Sequence, residues 1–240
     1  MFGKTLLRSM ASTAAFGTVL AGAALVAPVS TAIAPMDCKA QYQHSWVTQT
    51  DLSLRHQSGE FGTRNVATVI VTSGVGTPTG RVRITTSKRS WTVSLDANGY
   101  ARHRMSRWLP PGDYTVQAQY LPGCSNFGRS HSPQEGYAVS KAHTRVVDLH
   151  ASNIRRGRRP AVGLDVASST GVTPSGRVQV KLYHHNQLRR TATVRLSHGH
   201  AFVRFGRVWA RRSWQVTATY LGTHRFVRSE NETSFWVRRR

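Results

Sequence analysis

The chain has 240 residues, 33 lysines and arginines against 10 aspartates and glutamates, a formal net charge of +23, and two cysteines. Carboxylates this scarce leave little material for paired-acid catalysis, and two cysteines permit at most one internal disulfide. Positive charge of this size points instead to anionic partners, and arginine carries it, because lysine occurs only at Lys4, Lys39, Lys88, Lys141 and Lys181.

In chain order, the first element is a targeting segment. Lys4 and Arg8 precede an apolar run from Ala14 to Ala27, and small residues follow at Ser30, Thr31, Ala32 and Ala34. This is the pattern of a secretory signal peptide over residues 1–34, cleaved after Ala32 or Ala34. The run falls short of the ~20 residues a membrane-spanning helix needs and no second run follows, so no transmembrane segment is expected in the mature chain. No small-residue lipobox precedes Cys38, where Pro35-Met36-Asp37 stands. Export to an oxidising compartment makes a Cys38–Cys124 disulfide the expected state, worth ~4 kcal/mol for a closed loop of this length.

Beyond the leader, short runs of alternating apolar and polar residues are punctuated by turn residues, which predicts strands and no helix. Seven are expected at 47–55, 65–72, 81–86, 91–95, 100–105, 113–120 and 129–139. Seven more follow at 144–151, 161–167, 177–183, 191–196, 200–205, 213–220 and 225–237. The two sets are copies. Thr77-Pro78-Thr79-Gly80-Arg81-Val82 recurs as Thr173-Pro174-Ser175-Gly176-Arg177-Val178, and the segment from Tyr114 to Leu121 recurs from Trp214 to Leu221. Pro78 and Pro174 are 96 residues apart, Tyr120 and Tyr220 are 100 apart, and a unit of that size is a domain, too long for a solenoid repeat. The chain therefore divides into domains at 35–140 and 141–240, joined by a short linker near Ser140-Lys141-Ala142-His143 that restricts their relative orientation.

Alternation also assigns faces. Val178, Val180 and Leu182 share one side of their strand; Ala192, Val194 and Leu196, then Ala201, Val203 and Phe205, then Trp214, Val216, Ala218 and Tyr220 complete that core. Arg195 and Arg204 point outward. In the first copy Val82, Ile84, Val93, Leu95, Ala101, Met105, Tyr114, Val116, Ala118 and Tyr120 fill the same places. Asp96-Ala97-Asn98-Gly99 and Ser197-His198-Gly199 supply the residues that tight hairpins require.

The order Thr-Pro-(Ser/Thr)-Gly-x-Val, a glycine hairpin, x-Val-x-Ala-x-Tyr-Leu at 115–121 and 215–221, then Phe127 or Phe226 and Ser130 or Ser229 resembles the bacterial immunoglobulin-like domains. The resemblance covers nearly all of the mature chain and implies an all-β fold of two tandem immunoglobulin-like β-sandwiches of about seven strands each. It implies a role as spacer, adhesive stalk or carbohydrate-binding adjunct, and brings no catalytic residues with it. The family's acidic or small residue after the tyrosine turn is replaced by Thr223-His224 in the second copy and Pro122-Gly123-Cys124 in the first.

Candidate chemistry is thin apart from charge. His198 and His200 share a face but have no third ligand near in sequence, and His184 and His185 point to opposite faces if extended, so neither a metal nor another cofactor is expected. No nucleophile sits in a strand-to-helix elbow, and the protein is not expected to be an enzyme. Asn231-Glu232-Thr233 matches a glycosylation sequon that carries no weight in a bacterial exporter.

The net charge is +5 over residues 35–140 and +16 over 141–240. In the second domain it comes in clusters: Arg155, Arg156, Arg158 and Arg159; Arg189 and Arg190; Arg211 and Arg212; and Arg238, Arg239 and Arg240. Guanidinium groups there suit bidentate contact with phosphate or carboxylate. The expected partner is an anionic wall polymer or acidic polysaccharide outside the cell. Nucleic acid would bind without sequence preference, and a protein partner with the charge incidental is the alternative. Trp91, Trp108, Trp209 and Trp236 are candidates for stacking platforms for bases or sugars and equally for sandwich packing, while Trp214 belongs to the core.

Overall fold

The regular elements of residues 45–239, which the computed structural model describes, are all β-strands. The expected signal peptide, Cys38 and Arg240 lie outside the described residues. The first copy contains β1 (Thr48–Leu54), β2 (Ser58–Glu60), β3 (Val66–Ser73), β4 (Arg81–Thr86), β5 (Ser90–Ser94), β6 (Tyr100–Arg104), β7 (Gly112–Leu121) and β8 (Glu135–Ser140). The second contains β9 (Thr144–Ala151), β10 (Ile154–Arg155), β11 (Ala161–Ser168), β12 (Arg177–His184), β13 (Gln187–Arg195), β14 (His200–Arg204), β15 (Arg212–Tyr220) and β16 (Ser229–Arg238).

Each copy is a three-stranded sheet packed on a five-stranded one, in the same order. β1-β3-β6 faces β2-β8-β7-β4-β5, and β9-β11-β14 faces β10-β16-β15-β12-β13. Eight strands per copy replace the seven expected. The additional ones, β2 and β10, are three and two residues long and pair parallel with the last strand of their copy. Strands so short hold no alternation to read. The last strands also start later than expected, at Glu135 and Ser229, because the residues before them cross between the sheets and bury Phe127 and Phe226.

Period-two alternation fills both cores. Val82, Ile84, Val116, Ala118 and Tyr120 are fully buried in the first, as are Val178, Val180, Leu182, Val216, Ala218 and Tyr220 in the second. Val93, Leu95, Ala192 and Val194 are only partly buried, since β5 and β13 are sheet edges. Buried polar tips find partners at matching places in the two copies. The Tyr120 hydroxyl donates to the Thr79 carbonyl and that of Tyr220 to Ser175. Tyr114 Oη donates to the Pro110 carbonyl at 2.7 Å, and Trp214 Nε1 to that of Ala210 at 3.1 Å.

The two sandwiches meet in a packed joint. Phe61, which follows β2, is 1% exposed and meets Phe226 edge-on at 5.6 Å. The Arg225 guanidinium lies 5.2 Å from the centre of the Phe61 ring. Gly62 has φ +98°, and a Cβ there would fall 2.5 Å from Thr170 Oγ1 and 2.6 Å from Val172 Cγ2, so only glycine permits this approach. Beside it the Glu60 carboxylate meets His143 Nδ1 at 2.8 Å and accepts from the Ser169 hydroxyl.

The Ser169 hydrogen bond, working against the cost of burial, and then His143 hold the Glu60 carboxyl below its ordinary range. A carboxyl depressed in the folded state adds stability above its unfolded value and loses it as the pH falls through the folded one. The joint should therefore be narrowest in its distribution of inter-sandwich distances near neutral pH and broaden in acid, below the usual carboxylate range. Small-angle scattering checks this, and Glu60→Gln should show at neutral pH the breadth that the wild type shows only in acid.

Candidate polyanion site

Strand direction decides where the arginine clusters lie. In the second sandwich β10, β14 and β16 end, and β11 and β15 begin, at the end away from the first sandwich, and the β12–β13 hairpin turns there too. Arg155 pairs with Arg238 across the parallel β10–β16 ladder, and Arg212 pairs with Val237. Arg190 on the hairpin reaches the loop after β14, its guanidinium carbon 4.0 Å from the place of a Cβ on Gly206. Arg155 and Arg238, 83 positions apart in sequence, thus share one end of a sandwich with Arg204 and Arg207.

At the centre of this end is a concavity of about 790 Å³ lined by Arg155, Arg156, Arg158, Arg159, Arg204 and Arg207 around Trp209. The turn that carries the first four is fixed by backbone hydrogen bonds. Arg156 N–H donates to the Arg238 carbonyl at 3.0 Å, Gly157 N–H to that of Val208 at 2.8 Å, and Val208 N–H to that of Arg158 at 3.0 Å. Gly157 has φ +80°, and a Cβ there would lie 3.0 Å from the Trp209 ring. The indole therefore rests on the glycine, with the Arg156 guanidinium 5.9 Å from its centre and 56% of its surface exposed.

Among the described residues no carboxylate neutralises this end. Among the described residues the acidic groups of the second sandwich are Asp148, Asp165, Glu230 and Glu232, all engaged or placed along the strands rather than at the arginine end. Asp165 pairs with His200 across β11 and β14. Glu230 accepts from the Thr219 hydroxyl at 2.7 Å, and that bond, against burial and with help from Arg228, holds its carboxyl below the ordinary range. Among the described residues the clustered arginines are all exposed and none forms an ion pair.

Of the four expected clusters the first lines the concavity, with Arg204 and Arg207 added, while Arg190, Arg212 and Arg238 lie on strands that begin or end on the same side. Arg204 and Arg207 carried no doublet signal in the sequence; only the meeting of the β14 end with the β10–β11 turn reveals them. The remaining aromatic candidates separate. Trp91 stacks at 4.7 Å on His103 within the first sandwich, and Trp108 lies at the joint, 6.0 Å from Phe61. Trp236 is exposed on β16, and its backbone N–H donates to Asn153 Oδ1 at 2.7 Å. Trp214 is buried.

The histidines lie differently from an extended reading. His185 and Asn186 have φ of 52° and 60°, a two-residue hairpin turn, so the His184 and His185 rings meet edge-on at 4.2 Å instead of pointing apart. His184 Nε2 donates to the Arg211 carbonyl at 2.9 Å. Among the described residues no group of three or more histidine, cysteine or acidic side chains could hold a metal ion, and no helix is long and apolar enough to cross a membrane. Asn231 of the sequon spends its amide on the Val146 carbonyl at 3.0 Å. Cys124 lies in the turn after β7, and its expected partner lies outside the described residues.

Two tandem sandwiches, each a three-stranded sheet on a five-stranded one with a parallel edge strand, define a pair of immunoglobulin-like domains. Residues 52–140 match the family described as bacterial Ig-like domain (group 3). No curated protein matches the chain. Solved structures similar to it include the fibronectin(III)-like modules of Clostridium thermocellum CbhA, at 12% identity and a TM-score of 0.31, covering 78% of this chain and 94% of that one. Yersinia pseudotuberculosis adhesin InvE is similar at 12% identity and a TM-score of 0.35, over 78% of this chain and 58% of its own. A bacterial ice-binding adhesin of 1.5 MDa is similar at 13% identity and 0.34, over 82% and 66%.

Gly157→Ala should destabilise the second sandwich by about 1 kcal/mol or more, because alanine is strained at positive φ and its methyl meets the indole. Thermal unfolding measures the loss, and a shift in Trp209 fluorescence reports the displaced ring.

Proposed function

We propose that this is a secreted, non-enzymatic protein whose second sandwich grips an anionic cell-envelope polymer or acidic polysaccharide through its arginine end, while the first sandwich holds that end at a distance. One observation carries the reading. Arg155, Arg156, Arg158 and Arg159 meet Arg204 and Arg207, distant in sequence, around a concave surface that no described carboxylate lines.

Like charges gathered this closely repel one another and cost the folded state stability. A polyanion removes that cost and adds bidentate, charge-assisted hydrogen bonds that a planar guanidinium makes better than an ammonium. Each anionic group neutralised releases condensed counterions, so affinity falls steeply as salt rises. The packed joint at Phe61 and Gly62 supports the spacer role of the first sandwich, since a rigid link transmits position where a flexible one does not. A Cys38–Cys124 disulfide would staple that sandwich to its own N-terminal segment.

The mature chain should be retained on heparin or purified wall polymer at about 0.1 M salt and released well below about 1 M. Replacing Arg155, Arg156, Arg158 and Arg159 with serine should weaken retention at least tenfold, by counterion release, without lowering the unfolding temperature, because all four are exposed. Retention that ignores salt, together with capture of one stoichiometric protein, would instead support a protein-binding spacer. Reduction should lower the unfolding temperature of the first sandwich alone.

A further inference from the structure

The arginine concavity of the second sandwich occupies the place in its fold that the joint occupies in the first. Phe61 N–H donates to the Ser140 carbonyl at 2.8 Å as Arg156 N–H does to that of Arg238 at 3.0 Å. Gly62 N–H donates to the Arg107 carbonyl at 3.0 Å as Gly157 N–H does to that of Val208 at 2.8 Å, and both glycines have positive φ. Arg156 therefore stands where the joint has Phe61, and Gly157 where it has Gly62. In the first copy this end is closed by Thr170, Val172 and Phe226 of the neighbouring sandwich. In the second, the face of Gly157 is covered by the Trp209 indole, and guanidinium groups surround it. Trp108 of the joint corresponds to Trp209, and in the second copy guanidinium groups surround that ring where the first copy meets the neighbouring sandwich.

Resting on the polyanion reading above, we propose that this end takes an acidic polysaccharide. A sugar ring stacks on Trp209, and the acidic groups on that ring and its neighbours are held by Arg155, Arg156, Arg158, Arg159, Arg204 and Arg207. The composition of the concavity selects among polyanions. Six guanidinium groups with no carboxylate beside them call for several negative charges within about 790 Å³. A sulfated or otherwise acidic sugar carries one or more such groups on every ring. A single-stranded nucleic acid brings one phosphate per base and is held by successive aromatic rings along a groove, whereas one ring lines this concavity. A ring-free polymer satisfies the arginines and leaves an indole that is 56% exposed still in water. Stacking on an apolar sugar face buries that surface while the ring's polar edge remains free for the arginines.

The test compares heparin, long-chain inorganic polyphosphate and oligothymidylate as ligands of the full mature chain at one ionic strength. Wild type, Trp209→Ala, Trp209→Phe and the double variant Arg158→Ser/Arg159→Ser are titrated. Loss of Trp209 should weaken heparin binding by about fivefold or more, as loss of an aromatic stacking partner does elsewhere, and leave polyphosphate binding unchanged. Phenylalanine should restore most of the heparin affinity, and the double arginine variant should weaken both ligands. Equal loss of heparin and polyphosphate in Trp209→Ala, or loss of neither, overturns the proposal while the polyanion reading stands. Oligothymidylate binding that exceeds heparin and depends on Trp209 overturns it in favour of nucleic acid. If the wild type binds none of the three, the polyanion reading itself fails.

Discussion

A short parallel strand followed by a glycine in the left-handed region is the constraint on which both ends of this chain depend. β2 and β10 each add only two or three residues to an edge, yet each fixes the next peptide by a hydrogen bond to the last strand of its copy and turns the chain sharply on Gly62 or Gly157. A residue with a Cβ cannot make that turn without strain or collision. In the first copy the turn brings Phe61 and Gly62 against the neighbouring sandwich. In the second the same turn lays Trp209 on Gly157 and splays four arginines around it. One backbone device, with different side chains on it, produces a packed joint in one place and a charged recess in the other.

The recess is electrostatically unfinished as the protein stands. Folding brings Arg155, Arg204, Arg207, Arg211 and Arg238 to one end by strand direction alone, while Asp165, Glu230 and Glu232 are spent on His200 and on threonine hydroxyls along the sheets. The fold tolerates this because the charges are exposed and solvated and the core beneath does not depend on them. Val178, Val180, Val216 and Tyr220, on β12 and β15, supply stability from between the sheets. The core thus sits on the inward alternating positions of the strands and the charge on turns and strand ends, which lets one end of the domain carry its charge without loosening the sandwich.

Much of this was legible in the sequence, and the physical reason is periodicity. Strands with inward Val-x-Val or Val-x-Ala-x-Tyr patterns are marked twice, by alternation and by repetition in the second copy, and their positions agree with the structure to within a residue or two at most ends. What was hidden lacked a period. β2 and β10 are too short to alternate, and the chain before β8 and β16 buries Phe127 and Phe226 without forming strand. The arginine doublets announced themselves, whereas Arg204 and Arg207 are single residues whose membership depends on which loops meet. The approach of His184 to His185 likewise depends on two positive-φ residues that no alternation rule contains. Trp209 could be named as an aromatic candidate but not separated from Trp91 or Trp108 until its neighbours were known.

The most direct test of the proposed polymer site is amide hydrogen exchange of the chain with and without saturating heparin at low salt. Protection concentrated in the β10–β11 turn and in the segment between β14 and β15, with the first sandwich and the outer faces of the five-stranded sheets unchanged, is the predicted result. Protection spread evenly over both sandwiches, or centred on the first, would contradict it.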